Sequence, residues 1–311
     1  MEKLIIIRKT DMTLKNIIIL ISIYLLLFVV GITYHLDTYT PYSLYPFSVY
    51  QLESYQPLDE LQVADTERGR LELKKHKVLV LGISRDNRRQ LQSVIEHVEA
   101  TAKQFADYKV IIFENDSNDG TKFMLRLWSW FNNKVEILSQ DFNIQKRLSI
   151  KFLAYIRNKY LDQIEGKYPD YDILMILDMD MYRGWDVRGI YDTFSQFNNW
   201  QAICANGLDP ETGKKMYDSF AFRSDEFPHG MEVEDYWSKF APLAQKIYPI
   251  NTPLIPVKSC FNGLAFYKRE FIAGCRYDSI NEDCEHIAFN QCIKDKNGGK
   301  MYLNPSMIIR Y

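Results

Sequence analysis

Apolar and polar positions fall into alternating blocks along most of the chain, and the blocks predict strands separated by helices. Val78–Ile83 is a near-continuous apolar run of strand length. Arg89–Phe105 then places Leu91, Val94, Ile95 and Val98 on one helical face. Val110–Phe113 predicts a second strand, Lys122–Phe131 a helix, Val135–Leu138 a third strand, and Gln145–Ile164 a long helix. Tyr171–Asp180 closes the series with five consecutive apolar residues, Ile173 to Leu177, that end on Asp178 and Asp180. Strands alternating with helices over short connections predict an α/β fold with a mainly parallel sheet flanked by helices. Further on, Ala202–Ala205, Ala265–Tyr267 and Lys300–Leu303 are strand candidates and Asp283–Ile293 a helix. Asp209–Pro256 is rich in Tyr, Trp, Pro and charge, which implies loops and short helices. Residues 76–311 together form one expected domain of roughly 235 residues.

The N-terminal part follows a different pattern. Ile17–Thr33 carries no charged residue. At about 17 residues it is at the short end of what spans a bilayer as a helix. Lys3, Arg8, Lys9 and Lys15 precede it, and the next Lys or Arg is Arg68. The excess of basic residues before the run predicts a cytoplasmic tail over 1–16, a signal anchor over 17–34, and an extracytoplasmic remainder. A cleaved signal peptide fits less well, because the run is long and no clear cleavage site follows. Residues 35–75, interrupted by Pro41, Pro46 and Pro57, read as a stem with room for part of it to pack on the domain. The expected protein is therefore a single-pass type II membrane protein, with its domain in the Golgi or ER lumen if the source is eukaryotic or viral.

Composition narrows the chemistry. A net charge of −2 gives no reason to expect a nucleic-acid partner. Five cysteines, Cys204, Cys260, Cys275, Cys284 and Cys292, lack the CxxC spacing of a structural zinc site. Outside the cytosol they are free to form disulfides, and an odd number leaves at least one thiol unpaired. After the first strand comes Gly82-Ile-Ser-Arg-Asp86, without the G-x-G-x-x-G of a dinucleotide enzyme.

Four clusters carry candidate chemistry. Asp178 and Asp180 are two apart at a strand end, and strand alternation directs both to one side. Ligands of open α/β sheets gather at such ends, and two converging carboxylates there suit a divalent metal carrying a phosphate. A simple turn after a strand is the competing reading. The loop Glu114–Thr121 combines carboxylates and amides after the second strand. Asp116 can accept from a nucleobase there, while Asn118 or Asp119 caps the next helix. Asn115-Asp-Ser117 is also a glycosylation sequon, and a ligand-facing role requires it to stay unmodified. On the long helix, Arg147, Lys151, Ala154 and Asn158 share a face beside Leu148, Phe152, Ile156 and Tyr160. A solvated basic face is the default there, yet Arg157-Asn158 is placed to reach a diphosphate. Near the C-terminus, Asp283 and His286 share a helical face, with Asn290 one turn beyond His286.

The ordered set Phe113–Thr121, Leu153-Ala-Tyr-Ile-Arg-Asn158 and Leu177-Asp-Met-Asp180 resembles a GT-A nucleotide-sugar glycosyltransferase. Tyr217-Asp-Ser-Phe-Ala-Phe-Arg223, Pro256–Gly263, Asp283-Cys-Glu-His286 and Asn304-Pro-Ser306 resemble the fungal capsule-associated alpha-mannosyltransferase family. The resemblance spans most of Lys77–Tyr311 and implies a GT-A fold. It implies that Asp116 contacts the nucleobase, and Arg85, Asn115, Lys151, Arg157 and Asp178 complete the expected donor site. It also implies a metal site at Asp178 and Asp180 with Mn²⁺ or Mg²⁺ as the ion; His286 is a candidate third ligand, with a partner of a catalytic carboxylate or a half-buried side chain as the alternatives. Asp283 and Glu285 become the catalytic carboxylates near the acceptor. Either is the base if the reaction inverts, and none is needed there if it retains. The implied activity moves a sugar, mannose for the capsule type, from a GDP- or UDP-sugar to a hydroxyl of a glycan acceptor. The regular Asp-Met-Asp triplet is closer to the wider GT-A set than to the capsule type. A membrane-tethered carbohydrate-binding protein with a silent GT-A fold is the alternative.

Overall fold

The computed structural model describes residues 63–144, 149–209, 214–228 and 241–311, together with Ser22 and Leu25. Apart from those two, everything below belongs to the compact unit Tyr42–Tyr311. The expected anchor at 17–34 lies outside the described residues, save for Ser22 and Leu25. No helix among the described residues is long and apolar enough to cross a membrane.

The strands are β1 (Lys77–Ser84), β2 (Asp107–Glu114), β3 (Val135–Ser139), β4 (Ile173–Asp178), β5 (Ala202–Leu208), β6 (Ile255–Val257), β7 (Leu264–Lys268) and β8 (Met301–Arg310). The helices are α1 (Val63–Leu73), α2 (Arg88–Ala102), α3 (Thr121–Phe131), α4 (Ile150–Ile164), α5 (Val187–Ser195) and α6 (Glu285–Asn297). One sheet holds all eight strands in the order β3-β2-β1-β4-β7-β5-β8-β6. The half β3-β2-β1-β4 is parallel, as the alternating pattern predicts. The other half is mixed. β5 and β8 pair parallel, but β7 runs antiparallel to both β4 and β5, and β6 antiparallel to β8, so two of the eight strands depart from the expected parallel direction. Strand direction on that side depends on long connections whose sequence carries no periodic signal.

Both faces of the sheet are covered, which is why the central strands are apolar at nearly every position. One core packs alternate residues such as Val78, Val80, Met175 and Phe266 with Leu91, Val94 and Val98 of α2 and Ile190 and Phe194 of α5. The other packs Leu79, Leu81, Leu174 and Tyr267 with Tyr160 and Ile164 of α4 and Phe289 of α6. Helix α1, inside the segment read as stem, packs on α5. A side chain at Gly69 would strike the backbone of Tyr191, so glycine permits that approach.

The far half is held by specific links. Disulfides join Cys204 to Cys260 and Cys275 to Cys292, leaving Cys284 free and buried. Pro305 sits inside β8 where the β5–β8 register shifts between Cys204 and Asn206. There Asn206 donates to the Pro305 and Tyr248 carbonyls, and Asn304 donates to Thr193 and Asp192. A bulge of this kind is where a strand tolerates proline.

These directions fix the site. β1, β2, β3 and β4 are parallel, and β5 and β8 run the same way, so six strands finish at one edge of the sheet. Antiparallel β7 begins there. Asp178, the Arg85–Asn87 turn, the Asn115–Gly120 loop, Asp209, Tyr217 and Tyr311 all meet at that edge.

Candidate active site at the strand ends

A cavity of about 1230 Å³ opens at this edge. Asp178 and Asp180 stand in its wall, with Arg85, Asn115, Lys151, Arg157, Glu285 and His286 from the sequence-derived set. The acidic triplet is braced from beneath. Asn87 donates to the Met179 carbonyl at 2.5 Å, and Ser84 Oγ donates to Asn87 Oδ1 at 2.6 Å. Gly82 makes room for Met179, whose side chain would lie 3.0 Å from a Cβ there. With Met179 inward and braced, the flanking carboxylates are turned to the cavity.

Arg157 organises the floor. It is 4% exposed, its Nε donates to Glu285 Oε1 at 2.8 Å, and its Nη2 donates to Asp178 Oδ1 at 3.2 Å. Its guanidinium lies over the rings of Phe261 and Tyr277. Burial opposes its charge, but Tyr160, Glu285 and Asp178 hold its pKa well above the ordinary value. Nη1 is buried without a partner. One cation therefore serves two carboxylates and leaves Asp180 uncompensated. Burial and the neighbouring Asp178 charge push the Asp180 carboxyl up to about 7, and its Oδ1 is buried without a hydrogen bond. Asp178 is raised by burial, with Arg157 opposing the shift. An unpaired buried anion is costly, and a cation bound between these residues would relieve it.

That observation fits a divalent ion at Asp178 and Asp180, but not a preassembled set of three ligands. Among the described residues no three His, Cys, Asp or Glu side chains gather as a metal-holding group. His286 is 1% exposed, stacked on Phe261 at 4.0 Å between ring centres, with neither ring nitrogen in a hydrogen bond and Nε2 at 3.8 Å from Glu285 Oε1. Burial and nearby Arg157 depress its pKa well below the usual value, so it is neutral. Two carboxylates with substrate phosphates completing the shell are an ordinary arrangement for Mg²⁺-type sites.

Several expected residues take different places. Asp116, with φ of 52°, accepts through Oδ1 from the backbone of Phe142 and Asn143 and through Oδ2 from Asn115. Burial raises its pKa, yet these bonds outweigh it and leave the pKa below the ordinary value. Its carboxylate anchors the loop that follows β3, and Asn115 rather than Asp116 lines the cavity. Asn115 is 1% exposed, so the sequon is closed to glycosylation in the folded protein. Gly120 is the N-cap of α3, and Asp119 just before it accepts from the Thr121 N–H and hydroxyl, so the expected Asx turn is there but the cap falls one residue later. Asn158 does not face the cavity site beside Arg157. It exchanges two hydrogen bonds with the backbone of Tyr277. Asp283 lies outside the helix, since α6 starts at Glu285, and pairs with Arg223 at 2.7 Å. It therefore does not share a helical face with His286. Helix α4 begins at Ile150, capped by Ser149, and Arg147 and Leu148 lie outside the described residues.

Residues 77–295 match the family model described as Cryptococcal mannosyltransferase 1. The chain belongs to that family. No curated protein matches it. Among solved structures it is similar to residues 1–349 of TarS from S. aureus, at 10% identity, with 75% of this chain and 59% of that one covered and a TM-score of 0.46. It is also similar to the mannosyltransferase PcManGT from Pyrobaculum calidifontis, solved with GDP-Man and Mn²⁺. There the identity is 14%, the coverage 79% and 63%, and the TM-score 0.44. The chain thus spans about three-fifths of the length of these two.

For a member of the Cryptococcal mannosyltransferase 1 family, the structure adds cavity residues that the sequence did not single out. These are Asn87, Asp209, Tyr217, Asp218, Glu282 and Tyr311. Tyr217 and Asp218 sit in a quoted family segment, which was the available signal. Asn87 and Tyr311 had none, because their roles arise from strand order.

Proposed function

We propose that this protein is a metal-dependent glycosyltransferase that moves a sugar from a nucleotide-sugar donor to a hydroxyl of a glycan or glycoconjugate. The observation that supports it most is the buried, uncompensated Asp180 beside Asp178 in a cavity at the strand ends. Family membership makes mannose the first donor sugar to test. A bound Mn²⁺ or Mg²⁺ would neutralise charge on the leaving nucleoside diphosphate.

The chain's own residues divide the remaining work. Arg157 holds Asp178 and Glu285 in place and keeps one N–H free for a phosphate oxygen. Lys151, exposed at the start of α4, adds a second positive charge over the diphosphate. Arg85, which donates to the Ile144 carbonyl at 2.5 Å, and Asn115 form the nucleoside side. Asp116 shapes that side by fixing residues 142–144. Glu285, held by Arg157, is a carboxylate of the cavity beside Asp178. Asp283, tied to Arg223, positions the acceptor side rather than taking a proton.

The domain works outside the cytosol, tethered by the N-terminal apolar segment, a reading that two disulfides support. A screen of GDP- and UDP-sugars with Mn²⁺ tests the function. Transfer or slow hydrolysis of one donor, lost with chelator, is expected. Absence of both with every donor would overturn it.

A further inference from the structure

Tyr217–Arg223 is the family segment still without a chemical role, and it meets the cavity at one carboxylate. Asp218 is fixed from two sides. Its backbone N–H donates to Asn262 Oδ1 at 3.1 Å, and its Oδ1 accepts from the Ala221 N–H at 3.1 Å. Arg223 locks the same turn by donating to the carbonyls of Phe220 and Phe222 and to Asp283. A carboxylate held this firmly has one oxygen left over. Among the described residues no group bonds to Oδ2 and no cation pairs with Asp218, whereas Asp178 and Glu285 share Arg157.

The location says what Oδ2 can meet. Tyr217 and Asp218 line the same cavity as Asp178 and Asp180, so the segment borders the acidic triplet. Burial and the Asp178 charge push the Asp218 carboxyl up to about 7, and a cation bound at Asp178 would favour its ionised form. An anion without a cation of its own repels phosphate but accepts readily from a hydroxyl. In a nucleotide-sugar whose diphosphate lies at Asp178 and Asp180, the next group along is the sugar.

We propose that Asp218 accepts a hydrogen bond from a hydroxyl of the sugar being transferred, and so selects the donor sugar rather than its nucleotide. The inference rests on the nucleotide-sugar reading above.

Calorimetric titration of the full chain with Mn²⁺ tests it, using GDP, UDP, GDP-mannose, UDP-glucose and monodeoxy forms of the donor that binds. Asp218→Asn keeps a carbonyl oxygen for Ala221 and should melt at the wild-type temperature. It should bind the nucleoside diphosphate as wild type does, yet lose about 10- to 100-fold in affinity for the intact donor. One deoxy donor should bind the wild type equally weakly and lose nothing further in the variant. The deoxy series on the wild type needs no variant, so it decides the matter even where Asp218→Asn is unstable. Equal loss for the diphosphate alone, no deoxy donor weakened, or an effect confined to the acceptor KM would each overturn the proposal. A wild type that binds no nucleotide with Mn²⁺ would overturn the nucleotide-sugar reading as well, and is distinguishable from those results.

Discussion

The two halves of the sheet are built by different means. On the β3-β2-β1-β4 side, short connections and continuous apolar runs suffice, and the strands pair parallel in chain order reversed about β1. On the β7-β5-β8-β6 side, two disulfides, a bulge at Pro305 and buried amides of Asn206, Asn262, Asn290 and Asn304 set the arrangement. Asn290 illustrates the style, accepting from Tyr267 and donating to Ser259 and the Cys260 carbonyl. The first half carries Asp178, Arg85 and Asn115 at or just beyond strand ends. The second carries Tyr217, Asp218 and Phe261 on connections and Glu285 at the start of α6. On the reading proposed above, the first would hold the diphosphate and the second would face the sugar and acceptor.

Breaking the first half at its charge centre should have the largest effect. Asp178→Ala or Asp180→Ala is expected to lower metal-dependent transfer at least about 1000-fold, since charge stabilisation at the leaving group is lost. Steady-state rates with saturating Mn²⁺ check this. Arg157→Met should cost about 3–5 kcal/mol in stability, because it strands Asp178 and Glu285 buried without their shared cation. Urea unfolding would show it, and a loss below about 1 kcal/mol would deny Arg157 its central place.

The second half should break at its cross-links. Replacing Cys204 and Cys260 together by Ala is expected to cost about 2–5 kcal/mol, with the nucleotide side keeping its fold. Thermal melting combined with diphosphate binding separates those two outcomes.

A smaller, graded effect concerns pH. An unfolded Asp ionises near 3.8, while Asp180 in the metal-free fold ionises near 7. Between those values the folded protein keeps a proton that the unfolded chain has released. Stability of the metal-free protein should therefore fall as pH rises through this window and level off above about 7. Mn²⁺ should flatten the profile by removing the cost of the ionised form. Melting curves from pH 4 to 8, with and without the ion, measure both.

The halves also differ in how far the sequence revealed them. Runs such as Val78–Ile83 and Ile173–Leu177 are buried on both faces, so pattern alone located β1 and β4 and placed Asp178 at a strand end. Helix α5 was not legible, because Val187–Ser195 mixes Gly189, Thr193 and charge in a short span. Gly189 is there because the backbone of Ser306 and Met307 crosses it closely, a tertiary cause with no local trace. The direction of β7 was likewise invisible. Asp283 misled for a local reason: it follows residues with positive φ at Asn281 and Glu282, so the chain turns before the helix begins. Asp116 had the composition of a ligand contact, but its carboxylate is occupied by backbone N–H groups brought from beyond β3.

The most direct test is Mn²⁺-dependent binding of a nucleoside diphosphate by calorimetry, with the wild type beside Asp180→Asn. The wild type should bind GDP or UDP with Mn²⁺ present and at least about tenfold more weakly without it, and Asp180→Asn should lose that dependence. Equal binding with and without the ion, or full Mn²⁺ dependence in Asp180→Asn, would contradict a diphosphate–metal site at Asp178 and Asp180.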